Sequence, residues 1–122
     1  MSSRSTPAYA NKAASAAATL AGAEVVAAPG AGKRIRILAC WVTAADDNNL
    51  DAWVALQGTF GGAPKLFVQA AMLTFMGNTT NQGFKCDLLC DENTNIICTQ
   101  GTHSGIAFGG VHYRIEDGVG TT

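Results

Sequence analysis

Lys33 to Thr43 reads Lys-Arg-Ile-Arg-Ile-Leu-Ala-Cys-Trp-Val-Thr, and no other stretch so narrows what the chain can fold into. It opens in strict alternation, with Ile35 and Ile37 on one side and Arg34 and Arg36 on the other. That period of two is the mark of a half-buried strand. From Leu38 the second side turns apolar as well, because Leu38, Cys40 and Val42 follow the two arginines. A strand with one wet face at its start and two dry faces at its end is covered on its outer side. Ile35, Ile37, Ala39 and Trp41 are therefore expected in the core. Leu38, Cys40 and Val42 are expected to meet a second layer or a neighbouring subunit.

The composition agrees with an all-β domain partly hidden by neighbours. Only 14% of the 122 residues are charged, against an average of about 25%, and 48% are hydrophobic. Glycine occurs 14 times and proline three times. The length fits one domain. A net charge of −1 leaves no broad basic field for phosphates, which argues against nucleic acid as a partner. The charge is also divided. Residues 1–45 carry Arg4, Lys12, Lys33, Arg34 and Arg36 against Glu24, whereas the remainder is acidic. The alanine-rich run from Ala13 to Ala23 lacks a cleavage context before Glu24, so it does not read as a signal peptide. Leu66 to Phe84 is free of charge but broken by Gln69 and a polar turn, so no membrane span is expected.

Residues 1–20 form a Ser/Ala-rich stretch without a periodic apolar face, and they read as an extended N-terminal arm that orders on a partner. A β-sandwich domain over residues 21–122 follows. Glu24–Ala28 is a first strand, Pro29–Gly32 a turn, and Asp46–Asn49 a second turn. Trp53–Phe60 is a strand with Val54 and Leu56 on one face, closed by Gly61-Gly62-Ala63-Pro64. Leu66–Met76 fits either a strand or a helical face, and is read as strand plus connection. Gly77–Gly83 is expected to be a polar loop. Phe84–Cys90 and Ile96–Gln100 look like a hairpin around Asp91–Asn95. In the last strand, Val111, Tyr113 and Ile115 point one way, while Ile106 and Phe108 fall in the opposite phase. A bulge at Gly109-Gly110 would reconcile the two. Short strands at near-regular spacing indicate a single antiparallel sandwich, jelly-roll-like.

Chemistry has little to work with. Gly30-Ala31-Gly32-Lys33 is not a phosphate-binding loop, since Ala27 stands at the first glycine position, Arg34 replaces Ser or Thr, and a strand follows. Cys86 and Cys90, with Cys98 and His103 nearby, suggest a zinc site if their segment is a helix. As a strand, four residues span about 13 Å, too far for one metal. Four free, buried, structural thiols (Cys40, Cys86, Cys90, Cys98) are the reading taken. Asp46, Asp47 and Asp51 lack the spacing of a calcium loop. His103-Ser104 and His112 stand in no recognised catalytic arrangement. Trp41 and Trp53 are expected in the core, although the pair is also suited to a sugar platform. No catalytic residue, cofactor or metal is expected, and the chain is not read as an enzyme.

Ala31-Gly32-Lys33-Arg34-Ile35-Arg36-Ile37-Leu38, Asn95-Ile96-Ile97-Cys98 and Gly105 to Arg114 together resemble small β-sandwich virion proteins of tailed bacteriophages, over roughly residues 25–116. Those include capsid decoration (cement) proteins and head-fibre or tail-accessory modules. The resemblance implies a homo-oligomer, a trimer by preference, bound to a major capsid protein in the virion after assembly in the host cytoplasm. Alternatives are a fibre or tail module that contacts the host surface, and a small carbohydrate-binding module. The residues expected at the subunit or capsid interface are Arg4, Tyr9, Lys12, Leu38, Cys40 and Val42.

Overall fold

The computed structural model describes residues 10–45, 52–72, 79–101 and 106–117. Its eight strands are β1 (Lys12–Ala17), β2 (Ala23–Val26), β3 (Lys33–Ala45), β4 (Ala52–Phe60), β5 (Ala63–Met72), β6 (Thr79–Leu89), β7 (Ile96–Gln100) and β8 (Ile106–Asp117). They make two four-stranded antiparallel sheets, β1-β8-β3-β6 and β2-β7-β4-β5. One apolar core drawn from both sheets lies between them in a sandwich-like arrangement.

The pairing is nested. β4 pairs with β5, β3 with β6, β2 with β7 and β1 with β8, so the chain is one long hairpin folded over on itself. Its tip is Phe60-Gly61-Gly62-Ala63, where Gly61 and Gly62 take φ of 63° and 84°. Two successive residues of positive φ match the right-handed twist of a two-residue hairpin, which side chains with a Cβ rarely allow. β3 with β8 and β4 with β7 then close each sheet.

Strand β3 decides which side chains face the core. Ile35 and Ile37 are wholly buried, as the alternation predicts. Ile37 then stands opposite Tyr113, yet Ala39 stands opposite His112, so β3 carries Leu38 as one residue more than β8. A bulge of this kind reverses the phase beyond it. Cys40, Val42 and Ala44 therefore turn inward, at 2%, 1% and 1% exposure, and Trp41 turns outward at 37%. The expectation of Ala39 and Trp41 in the core, and of Cys40 and Val42 on the opposite side against a second layer or a neighbouring subunit, is thus corrected. Both assumed an unbroken period of two.

The bulge expected at Gly109-Gly110 is likewise absent, for β8 runs in unbroken register against β1 from Tyr113 to Phe108. Gly109 and Gly110 serve opposite faces. A Cβ on Gly109 would lie 2.8 Å from both Leu56 Cδ2 and Cys98 Sγ of the other sheet, so glycine permits the close approach of the layers.

Three further boundaries move. Lys12–Ala17 is a strand of the sandwich itself, so the sheet takes in residues expected in the arm; small side chains suit a strand held by main-chain pairing with β8. Thr79–Gly83 extends edge strand β6 rather than forming a loop, paired with the end of β3. β6 and β7 lie in different sheets, so 91–95 is a crossing between layers and not a hairpin loop. For the segment read as strand or helix, β5 settles strand as far as Met72. Val54 and Leu56 do share the core face. Buried Ile35, Ile37, Leu56 and Ile96 anchor that core, and full burial of such a side chain stabilises by about 1.5–3 kcal/mol.

Candidate functional site

The outer face of the sheet β1-β8-β3-β6 is divided by the bulge at Leu38. On the Lys33 side of it, Arg34 and Arg36 face outward beside Arg114 and Glu116 of β8. Arg36 Nη1 donates to Asp87 Oδ1 at 2.5 Å and Nε to Glu116 Oε2 at 2.7 Å, and Arg114 Nε donates to the same oxygen at 2.5 Å. The hydrogen bond from Arg36 holds the Glu116 carboxyl below its ordinary range; partial burial opposes it and the bond from Arg114 adds to it. Its bonds to Glu116 and then Asp87 hold Arg36 protonated more firmly than a free guanidinium. Arg36 and Arg114 are thereby balanced by Asp87 and Glu116, while Arg34 takes part in none of these ion pairs.

Beyond the bulge the face is uncharged at its centre and aromatic. Trp41 stands between two glycines, Gly83 of β6 and Gly110 of β8. Its indole lies over Gly110, where a Cβ would come within 2.6–2.8 Å of Cζ2, Cε2 and Nε1. Phe108, 41% exposed, lies one row along, opposite Thr43. Beside Trp41 runs an open groove of about 350 Å³, lined by Ala13, Ala14, Ser15, Trp41, Val111 and His112. Among the described residues its polar side chains are the Ser15 hydroxyl and the His112 imidazole, and no carboxylate lines it. A flat aromatic supported from below and bordered by a hydroxyl and an imidazole suits an uncharged surface that is part apolar and part hydrogen-bonding.

The sequence-derived site residues scatter. Arg4 and Tyr9 lie outside the described residues, as do Asp46, Asp47, Asp51, His103 and Ser104. Lys12 is exposed at the start of β1, opposite Tyr113. Leu38 is half-buried at the bulge, on the outer face with Ala39. Cys40 and Val42 are core residues. Trp53 lies on the outer side of the other sheet, against Gly101, so the two tryptophans face opposite ways and form no common platform. Among the described residues no group of three or more His, Cys, Asp or Glu is placed to hold a metal ion.

Trp41, Phe108, Ser15 and His112 were not singled out as a group from the sequence. Their meeting depends on the register of three strands distant in the chain, and the Gly109-Gly110 pair was the one local sign of it. Neither protein-family models nor curated protein sequences match the chain.

Proposed function

We propose that this protein is a virion structural protein of the capsid-decoration type, a jelly roll that docks as a trimer on an assembled phage head. The observation that carries the reading is the strand order 1-8-3-6 facing 2-7-4-5, reached by folding one long hairpin. Jelly rolls of eight strands recur in viral capsid and lectin domains, which supports both the class and its rival. The resemblance of the Lys33 and Val111 segments to phage virion proteins points the same way. Trp41 and Phe108 provide the apolar centre of a docking face, and the neutralised Arg36–Glu116 network its rim. Bound across neighbouring capsid subunits, the protein stabilises the shell by mass action, because it binds the assembled state alone. No catalytic step is part of this reading.

The test is cosedimentation of the purified chain with phage heads that lack it, together with its own sedimentation equilibrium. A trimer that decorates heads in many copies, and binds at least ~10-fold more weakly as Trp41→Ala, is the expected result. A monomer with no affinity for heads overturns it.

A second reading, a small carbohydrate-binding module, is favoured by one specific feature. The outward face of the Trp41 indole borders an uncharged groove with Ser15 and His112 at its edge, the chemistry that stacks on a pyranose ring. Quenching of tryptophan fluorescence by a neutral hexose oligosaccharide, lost in Trp41→Ala, would replace the first reading with this one.

A further inference from the structure

We propose that Cys40 and Cys86 are a redox clasp, open in the fold described here, which closes to a disulfide joining edge strand β6 to β3 on exposure to a low-molecular-weight disulfide. The placement comes from the irregular register at the bulge. Cys40 pairs with Phe84 and Ala39 with Lys85, whereas Ile37 pairs with Leu88. Two residues of β6, Cys86 and Asp87, therefore stand opposite Leu38 alone. The Cys86 thiol is directed at β3, and its Sγ lies 3.6 Å from the Ile37 carbonyl oxygen to which it donates. Cys40 turns into the core, and Cys86, partly buried, packs against the same core cluster from the neighbouring strand. The two cysteines thus stand on neighbouring antiparallel strands, two residues out of direct pairing and turned to the same side, the placement from which a disulfide can close. Cys90 and Cys98 are wholly buried elsewhere in the core, Cys98 beneath Gly109.

Access sets the order of events. Cys86 is half-buried on an edge strand, whereas Cys40 is 2% exposed. The Cys86 thiolate attacks one sulfur of the external disulfide, whose S–S bond breaks and releases one thiolate. The Cys40 thiolate then attacks the Cys86 sulfur of this mixed disulfide and expels the second. Two protein thiols are oxidised, one external disulfide is reduced to two thiols, and the two protons pass to the leaving thiolates. Burial pushes Cys40 up to about 12, with the neighbouring Cys86 adding to it, and burial raises Cys86 as well. Closure is consequently slow near neutrality and accelerates with pH. A reducing cytoplasm keeps the clasp open and an oxidising exterior closes it. The inference stands on the two thiols and is independent of the function proposed above.

The full chain is incubated folded with oxidised glutathione at about pH 8.5, then denatured, alkylated and weighed intact. The expected product has lost two hydrogens and retains two alkylatable thiols. Its non-reduced peptide map joins Cys40 to Cys86, and its Tm is raised. Cys86→Ser, whose hydroxyl keeps the bond to Ile37, should give no intramolecular link, while Cys90→Ala should still close. Four alkylatable thiols after prolonged exposure, a stable glutathione adduct on Cys86, or a link between any other pair overturns the proposal. The peptide map on the unmutated chain decides this whether or not a variant folds.

Discussion

The indole of Trp41 rests on the backbone of Gly110, its cross-strand partner, so closely that a Cβ there would lie 2.6 Å from Cζ2. One ring face is thereby covered by the sheet, while the residue stays 37% exposed. A tryptophan supported in this way is held flat at little entropic cost to any later contact, since its rotamer is already restricted.

Gly110→Ala follows directly. The backbone at Gly110 is ordinary strand, so alanine fits the chain but not the space, and the indole has to tilt away. Overpacking of this kind costs about 1–2 kcal/mol. Near-ultraviolet circular dichroism should show a changed tryptophan environment, with the Tm lowered. An unchanged spectrum and Tm would mean that the ring does not rest there.

The bulge at Leu38 separates two aspartate substitutions that an unbroken alternation would treat alike. Val42, 1% exposed, sits in the core, and Val42→Asp buries a carboxyl without a partner. A loss of about 4–5 kcal/mol or more is expected, a large share of a stability of ~5–15 kcal/mol. Leu38 lies half-buried on the outer face, so Leu38→Asp should leave the chain folded and act on self-association. Chemical denaturation of both variants, with sedimentation of the second, checks this pair.

The same bulge shows what the sequence made legible. The class of fold, the turn at Gly61-Gly62, the inward Ile35 and Ile37, and the Val54–Leu56 face follow from alternation and turn chemistry, which are local. The phase of Cys40, Trp41 and Val42 does not, because one extra residue relative to a partner strand is a property of pairing. Strand β1 escaped for a related reason. Lys-Ala-Ala-Ser-Ala-Ala carries no apolar period of its own, and it is a strand because β8 offers it a free edge. The aromatic groove needed both errors corrected before Trp41 and Ser15 fell on one face.

Acid should weaken the sandwich through Glu116. Its folded pKa lies below the unfolded value of about 4.3, chiefly through Arg36. A depressed carboxylate contributes stability that is present above the unfolded pKa and lost as pH falls through the folded one. The Tm should hold from neutrality to about pH 5 and decline below it, with a shallower decline in Glu116→Gln. Equal slopes in the two proteins would assign the acid sensitivity to other groups.

At the alkaline end the sign reverses. Burial pushes the Cys40 and Cys90 thiols up to about 12 and Cys98 to about 11, against an ordinary 9.0. A raised thiol contributes stability that is complete below the unfolded value and disappears as pH climbs toward the folded one. Under reducing conditions the Tm should therefore fall from about pH 9 upward. Cys98→Ala should lessen that alkaline slope, whatever its cost at neutral pH.

The crossing between layers offers the most local test. Asp91 accepts from Gly61 N at 2.9 Å and Gly62 N at 2.6 Å, and its own N–H donates to Thr59 O at 2.9 Å. The bonds from Gly62 and then Gly61 hold its carboxyl below the ordinary range. Next along the chain, Glu92 Oε2 accepts from Gly32 N at 2.6 Å and Asn93 Oδ1 from Gly30 N at 2.9 Å. Three consecutive side chains thus fasten the β4–β5 tip and the β2–β3 turn to the same corner of the sandwich. Asp91→Ala removes the acceptor of both tip amides but nothing from the Gly30–Gly32 turn. Amide exchange at Gly61 and Gly62 should accelerate at least ~10-fold, with Gly30 and Gly32 unchanged, because local opening carries its own free energy. Uniform acceleration across both turns would instead show that the corner opens as one unit.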